Sequence, residues 1–197
     1  MLLTESYTWG PYLWKTTLNE DIVQLVLDRA NKIKGVNNAS PMLPFNFDEC
    51  WYFSSADVKW FANIIGTPLQ KYLTGYARHN ELPLSTDEDL RRWSFDSVWA
   101  NWYSAGDMTG LHNHVGDLSF VLYLQIPEYE DKVVGTAPAP GSISFTWGTD
   151  KKTFSPKLGE LFIFPSGLFH TVMPFKTPNV QRISLSGNMY YDTTFNG

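Results

Sequence analysis

The feature that most constrains the fold is a change of period at residue 93. Phe95–Tyr103, Leu118–Ile126, Ser142–Thr146, Glu160–Phe164, Phe169–Met173 and Arg182–Met189 are short apolar or aromatic runs separated by Gly, Pro, Asn and Asp. Runs of this kind read as strands closed by turns. No interval between them holds a helix of ordinary length, which disfavours the crossovers that a parallel sheet requires. An antiparallel sandwich or jelly roll is the expected architecture for this half.

Upstream the period is helical. Thr17 and Glu20 have capping-box spacing, and Ile22, Val23, Leu25, Val26, Ala30 and Ile33 form a stripe that stops at Gly35. A second helix is predicted over 55–65, with Val58, Phe61, Ile64 and Ile65 on one side and Gly66 and Pro68 ending it. Residues 1–18 are turn-rich, with strand-like stretches at best. Residues 37–50 read as loop, and 83–92 as loop with one helical turn. No linker or internal repeat divides the chain. The reading is a single domain over 1–197, mainly β with N-terminal helices. Residues 1–92 form a helical and loop support that braces the outer face of a jelly-roll core, a double-stranded β-helix, at 93–190.

Thirteen Phe, ten Tyr and eight Trp in 197 residues argue against disorder and suit a β-rich interior. A net charge of -5 without a polybasic tail disfavours binding along a nucleic-acid backbone. The single cysteine, Cys50, forbids an intrachain disulfide framework. The start MLLTESYTWG lacks a basic region and a long apolar run, and no stretch is long enough to span a bilayer. No membrane association is expected, and a cytoplasmic location is. Nothing in the sequence signals an oligomeric state.

The chemistry concentrates in the histidines, of which there are four: His79, His112, His114 and His170. His112 and His114 lie two apart in GLHNHVG, where a β conformation turns both to one face. A ligand pair needs this, because imidazole nitrogens must converge at about 2.1 Å from one ion. His170 closes FIFPSGLFH, after a strand and a Pro-Ser-Gly turn that can return the chain to the same pocket. The three histidines are read as a metal site. Three imidazoles alone suit zinc, iron, nickel or copper. Asp117 reads as a turn residue before a strand, with a ligand or outer-partner role as the alternative. Arg182 and Ser184 share a strand face in QRISLSGN. They form either a carboxylate clamp or an edge arginine paired with an acid.

With these residues in place, the chain resembles the iron(II)- and 2-oxoglutarate-dependent oxygenases. In that superfamily a jelly roll carries H-x-D and a distant His, followed by Arg-x-Ser for the co-substrate's distal carboxylate. Here His112-Asn-His114, His170 and Arg182-Ile-Ser184 fall in the same order. Tyr103-Ser-Ala-Gly106, five residues before His112, looks like the Y-x-x-G-x5-H signature of the prolyl-hydroxylase-like branch. FVLYLQ looks like its YLN strand, and GELFIFPSGLFHTV like its segment around the second histidine. The likeness spans roughly residues 95–190, about half of the chain. The ensemble also resembles a phage and bacterial subgroup with histidine in the middle position.

The resemblance implies an iron(II)/2-oxoglutarate dioxygenase that hydroxylates a small-molecule or peptide substrate, releasing succinate and carbon dioxide. It implies iron(II) on His112, His114 and His170, and 2-oxoglutarate held by Arg182, Ser184 and Tyr123, with Tyr103 lining the pocket. His114 is a departure, standing where the superfamily has a carboxylate. Three imidazoles leave the iron–keto acid complex neutral instead of singly negative. Histidine also fills the room that halogenases of the superfamily keep for halide, which disfavours halogenation. Trp99, Trp102, Trp147, Phe162 and Phe169 are candidates for a dry pocket wall. The loops at 36–50 and 74–92 are candidates for a lid, with His79 on the second. Two other readings are a three-histidine cupin-type metalloenzyme that uses no keto acid, and a β-sandwich binding module without catalysis.

Overall fold

The computed structural model describes residues 4–7, 10–39, 49–83 and 92–192. In chain order the elements are β1 (Thr4–Tyr7), β2 (Leu13–Thr17), α1 (Glu20–Ile33), β3 (Cys50–Tyr52), α2 (Ser55–His79) and β4 (Trp93–Tyr103). They continue with β5 (Thr109–His112), β6 (Leu118–Gln125), β7 (Ile143–Trp147), β8 (Asp150–Phe154), β9 (Glu160–Pro165), β10 (Phe169–Val172) and β11 (Arg182–Tyr191). The strands form a seven-stranded sheet ordered β1-β2-β9-β6-β11-β4-β3 and a four-stranded sheet ordered β5-β10-β7-β8. Every strand pair is antiparallel. The result is a mainly β fold with N-terminal helices and a core like a double-stranded β-helix.

The large sheet is buried on both faces. Val98, Ala100, Trp102, Phe120, Leu122, Leu124 and Leu185 meet Val23, Val26, Phe61, Ile65 and Leu69 of the helices. The alternate residues Trp99, Tyr103, Val121, Tyr123, Phe162 and Phe164 meet Ile143, Phe145 and Val172 of the small sheet. A strand clothed on both sides has no reason to alternate in polarity, which is why β6 reads FVLYL rather than apolar–polar. The second of these faces looks into the space between the two sheets. The helices take the other face of the large sheet.

Several boundaries differ from expectation. The N-cap of α1 is Asn19, whose side chain accepts from the Asp21 N–H, while Thr17 belongs to β2. The second helix does not stop at Gly66 and Pro68 but runs to His79. An interior proline costs about 3 kcal/mol. Beyond it, Leu69, Tyr72, Leu73 and Ala77 continue the buried stripe of Phe61 and Ile65. At about 1.5–3 kcal/mol for each large side chain buried, that stripe outweighs the break. Residues 74–79 are thus helix rather than loop. The His79 ring lies 5.4 Å from that of Tyr12, among the aromatic side chains of Tyr12, Tyr72 and Tyr76. The expected helical turn within 83–92 and half of the candidate lid residues, at 40–48 and 84–91, lie outside the described residues.

Strands β1, β2 and β3, all from residues 1–92, add to the large sheet at its two ends. β3, β5 and β8 carried no clear strand signal. β8 reads DKKTF and lies at the edge of the small sheet, where lysines protect an unpaired backbone rather than bury a face. No helix among the described residues is long and apolar enough to cross a membrane.

Candidate active site

β5 and β10 are neighbours in the small sheet, and their register sets His112 directly opposite His170. Directly opposed residues share a face, so both imidazoles project the same way. His114 lies just past the end of β5 rather than within it. Its backbone N–H donates to the Ser166 carbonyl in the turn between β9 and β10, at 2.9 Å. The ring centroids are 4.2 Å apart for His112 and His170, 4.9 Å for His112 and His114, and 5.0 Å for His114 and His170. One nitrogen from each ring falls within 4.8 Å of the others.

The protonation pattern suits a metal. His112 Nδ1 donates to the Gly110 carbonyl at 2.8 Å and His170 Nδ1 to the Leu168 carbonyl at 3.0 Å. Each bond fixes the tautomer in which Nδ1 carries the proton and Nε2 is the unprotonated nitrogen. Burial holds the His114 imidazole down at about 4, assisted by the adjacent His112. Burial also lowers His112, and it lowers His170 strongly, with the two neighbouring rings adding to the effect. Three neutral imidazoles with convergent lone pairs fit a divalent transition metal. Phe164 and Phe145, 5.0 and 5.9 Å from His170, and Trp99, 5.8 Å from His114, wall the cluster.

The cluster opens onto a small cavity, with Arg182 and Ser184 also on its wall. Arg182 is 1% exposed. Its Nη1 donates to the Gly141 carbonyl at 2.8 Å, and the guanidinium carbon lies 4.0 Å from the Tyr103 ring centroid and 5.9 Å from that of Tyr123. Its Nε has no partner, and among the described residues no carboxylate pairs with it. The reading of an edge arginine matched to an acid is thereby removed. A buried, unpaired guanidinium is costly unless a ligand supplies the counter-charge.

Ser184 follows on the same face of β11, opposite Tyr123 of β6 and Asn101 of β4. The Tyr103 hydroxyl is hydrogen-bonded to Thr109 Oγ1. Burial pushes the Tyr103 phenol up to about 12 and that of Tyr123 higher still, against the pull of the Arg182 charge. Both stay neutral. The structure thus brings His112, His114, His170, Tyr103, Tyr123, Arg182 and Ser184 to one cavity.

Some candidates are not there. Asp117 accepts from the Tyr191 N–H at 2.7 Å and holds the start of β6 to β11, consistent with a turn role. Of the five aromatic wall candidates only Trp99 lines the cavity. Trp102 faces the helices, Phe162 packs between the sheets without reaching the cavity, and Trp147 and Phe169 are exposed. Sequence reasoning missed Asn101, Thr109 and Ser186. A signal for the first was present: Asn101 alternates with Trp99 and Tyr103, a polar residue in phase with an inward face.

Residues 97–188 match the family model described as a putative 2OG-Fe(II) oxygenase. That segment contains the three histidines, both tyrosines, Arg182 and Ser184. Over that segment, a little under half of the chain, the protein is similar to the iron(II)/2-oxoglutarate oxygenases. No protein of curated function matches it in sequence. Among solved structures, a Pseudomonas putida prolyl-4-hydroxylase is 15% identical, with 91% of this chain and 92% of that one covered and a TM-score of 0.60. HygX from Streptomyces hygroscopicus, solved with nickel and 2-oxoglutarate bound, is 10% identical over 93% and 84% at a TM-score of 0.61. The non-heme alpha ketoglutarate dependent epimerase SnoN from nogalamycin biosynthesis is 12% identical over 92% and 79%, also at 0.61. At such identities the likeness is one of fold. The candidate metal-ligand cluster of this chain holds the H-x-H pair and a third histidine, with no carboxylate among the described residues.

Proposed function

We propose that the protein is a non-haem iron(II)/2-oxoglutarate-dependent dioxygenase acting on a small-molecule or peptide substrate. The observation that carries this reading is Arg182, a buried guanidinium without an acid, in the same cavity as three convergent neutral histidines. His112, His114 and His170 hold the metal. Arg182 takes the distal carboxylate of 2-oxoglutarate, with the Ser184 and Tyr123 hydroxyls beside it and the Tyr103 ring under the guanidinium. When bound, iron and keto acid together activate dioxygen, releasing succinate and carbon dioxide as an oxygen atom goes to a substrate C–H bond. The chain's own contribution is to position and to exclude water. The Gly110 and Leu168 carbonyls hold two imidazoles in their ligating tautomer, the two phenols stay protonated as donors, and Phe145, Phe164 and Trp99 keep the metal end dry.

A cupin-type metalloenzyme without a keto acid is the second reading, favoured by His114 alone. Anaerobic titration of the iron(II)-loaded protein with 2-oxoglutarate separates the two. The dioxygenase reading expects saturable binding with a visible charge-transfer absorption that disappears in Arg182→Ala. A folded, iron-loaded parent that binds no 2-oxoglutarate refutes it.

A further inference from the structure

Four positions on four neighbouring strands fall in one row. Cys50 of β3 lies opposite Asn101 of β4, Asn101 opposite Ser184 of β11, and Ser184 opposite Tyr123 of β6. Cross-strand partners share a face, so the row crosses the large sheet on the side toward the small one. Asn101, Ser184 and Tyr123 line the cavity, and Cys50, fully buried, closes the row at its end.

Hydrogen bonds run along it. Cys50 Sγ donates to Asn101 Oδ1 at 3.1 Å, and Asn101 Nδ2 donates to Ser184 Oγ at 3.5 Å and to Ser186 Oγ at 3.3 Å. Burial pushes the Cys50 thiol up, so it stays protonated and remains a donor. A thiol on Oδ1 turns the amide of Asn101 so that its two N–H bonds face the serines. Ser184 Oγ then accepts from Asn101. Among the described residues its own proton has no acceptor, and its open side is the cavity next to Arg182. A buried amide in a strand reading WANWY is not there for packing, since an apolar residue at that point carries no desolvation cost.

We propose that Asn101, oriented by Cys50, is a positioning residue that fixes the Ser184 hydroxyl as a donor to the carboxylate held by Arg182. The inference rests on the dioxygenase reading and adds to it two residues that act through Ser184.

Anaerobic titration of iron(II)-loaded variants with 2-oxoglutarate tests it. In Asn101→Asp a carboxylate accepts the Ser184 proton and turns it from the ligand, so the Kd rises at least about tenfold. Cys50→Ala frees the amide to rotate, and the Kd rises by about threefold to fivefold. Cys50→Ser restores a donor to Oδ1 and returns the Kd to near the parent value. All three variants keep the parent's iron stoichiometry, and in turnover the change falls on the KM for 2-oxoglutarate rather than on kcat. Parent-like Kd values in both Asn101→Asp and Cys50→Ala overturn the proposal, as does Cys50→Ser behaving like Cys50→Ala. Arg182→Ala, measured alongside, distinguishes the failures. A parent that binds no keto acid brings down the dioxygenase reading and this inference with it. Binding that depends on Arg182 but not on Asn101 or Cys50 brings down this inference alone.

Discussion

Arg182 lies directly across the sheet from Tyr103, with its guanidinium carbon 4.0 Å from the tyrosine ring centroid. The ring face supplies negative potential where the described residues supply no acid, worth about 2 kcal/mol when both groups are desolvated. That compensates only part of the cost of burying a charge, which is several kcal/mol. The remainder is left for a ligand.

Arg182→Met is therefore expected to separate stability from binding. Methionine fills the same volume without a charge to desolvate, and replacing buried ions by apolar side chains is often neutral or stabilising. The variant should melt at or above the parent temperature. Its affinity for 2-oxoglutarate should fall by at least about 100-fold, since two charge-assisted hydrogen bonds are lost. Calorimetric melting and keto-acid titration of the same preparation check both halves. A variant that binds normally would remove Arg182 from the site.

His114 is the second test point. Removing even an outer partner of a metal ligand costs about 10–100-fold in affinity, so His114→Ala should lose at least that much, measured by competition with a chelator. His114→Asp should keep the metal, because a carboxylate suits the same ions. It also adds one negative charge to the complex, which should shift the charge-transfer absorption of the 2-oxoglutarate complex. An unchanged iron affinity in His114→Ala would mean that the three rings do not form one centre.

The site was legible in the sequence to the extent that its residues are chemically distinctive. Rare histidines, and an arginine opening an apolar strand, stand out because burial makes them costly without a purpose. The role of Asn101 is not legible in the same way, because it depends on which strands lie beside β4, and register is not written in local composition. The same holds for β3 and β8, which are strands because of their neighbours. Sequence alone ends the second helix at Gly66 and Pro68 because a local breaker is visible there, whereas the packing of Leu69, Tyr72 and Leu73 that overrides it is not. Trp102 and Trp99 look alike in sequence, yet they face opposite sides of the sheet because they are three residues apart on one strand.

Gly187 tests the packing between sheet and helices. It lies on β11 between β4 and β6, and a Cβ there would stand 2.6 Å from the Phe120 ring and 2.7 Å from the Ser97 carbonyl. The carbonyl belongs to the sheet backbone and cannot turn aside. Phe120 is itself stacked on Phe61 of α2, with centroids 5.4 Å apart, so displacing it disturbs the helix seat as well. Gly187→Ala is expected to destabilise by about 1–3 kcal/mol or more, although alanine favours strand no less than glycine. Chemical denaturation measures it, and a cost near zero would show that the close approach is relaxed in solution.

Asp57 gives the pH-dependent case. Burial raises its carboxyl, but hydrogen bonds from Ser54 and Arg29 and the Arg29 charge prevail, and the pKa is lowered from its ordinary 3.8. Asp57 and Ser54 form the capping box that starts α2, and the Arg29 guanidinium ties that corner to α1. Because the folded value lies below the unfolded one, the contribution is complete above the unfolded value and disappears as the pH falls through the lower folded value. Asp57→Asn keeps the shape and part of the cap but loses the charge. At neutral pH it should cost about 1–2 kcal/mol. The gap in melting temperature between parent and variant should be constant down to about pH 5 and close progressively below about pH 4. A gap that persists undiminished at pH 2 would assign the cost to altered packing rather than to the ion pair.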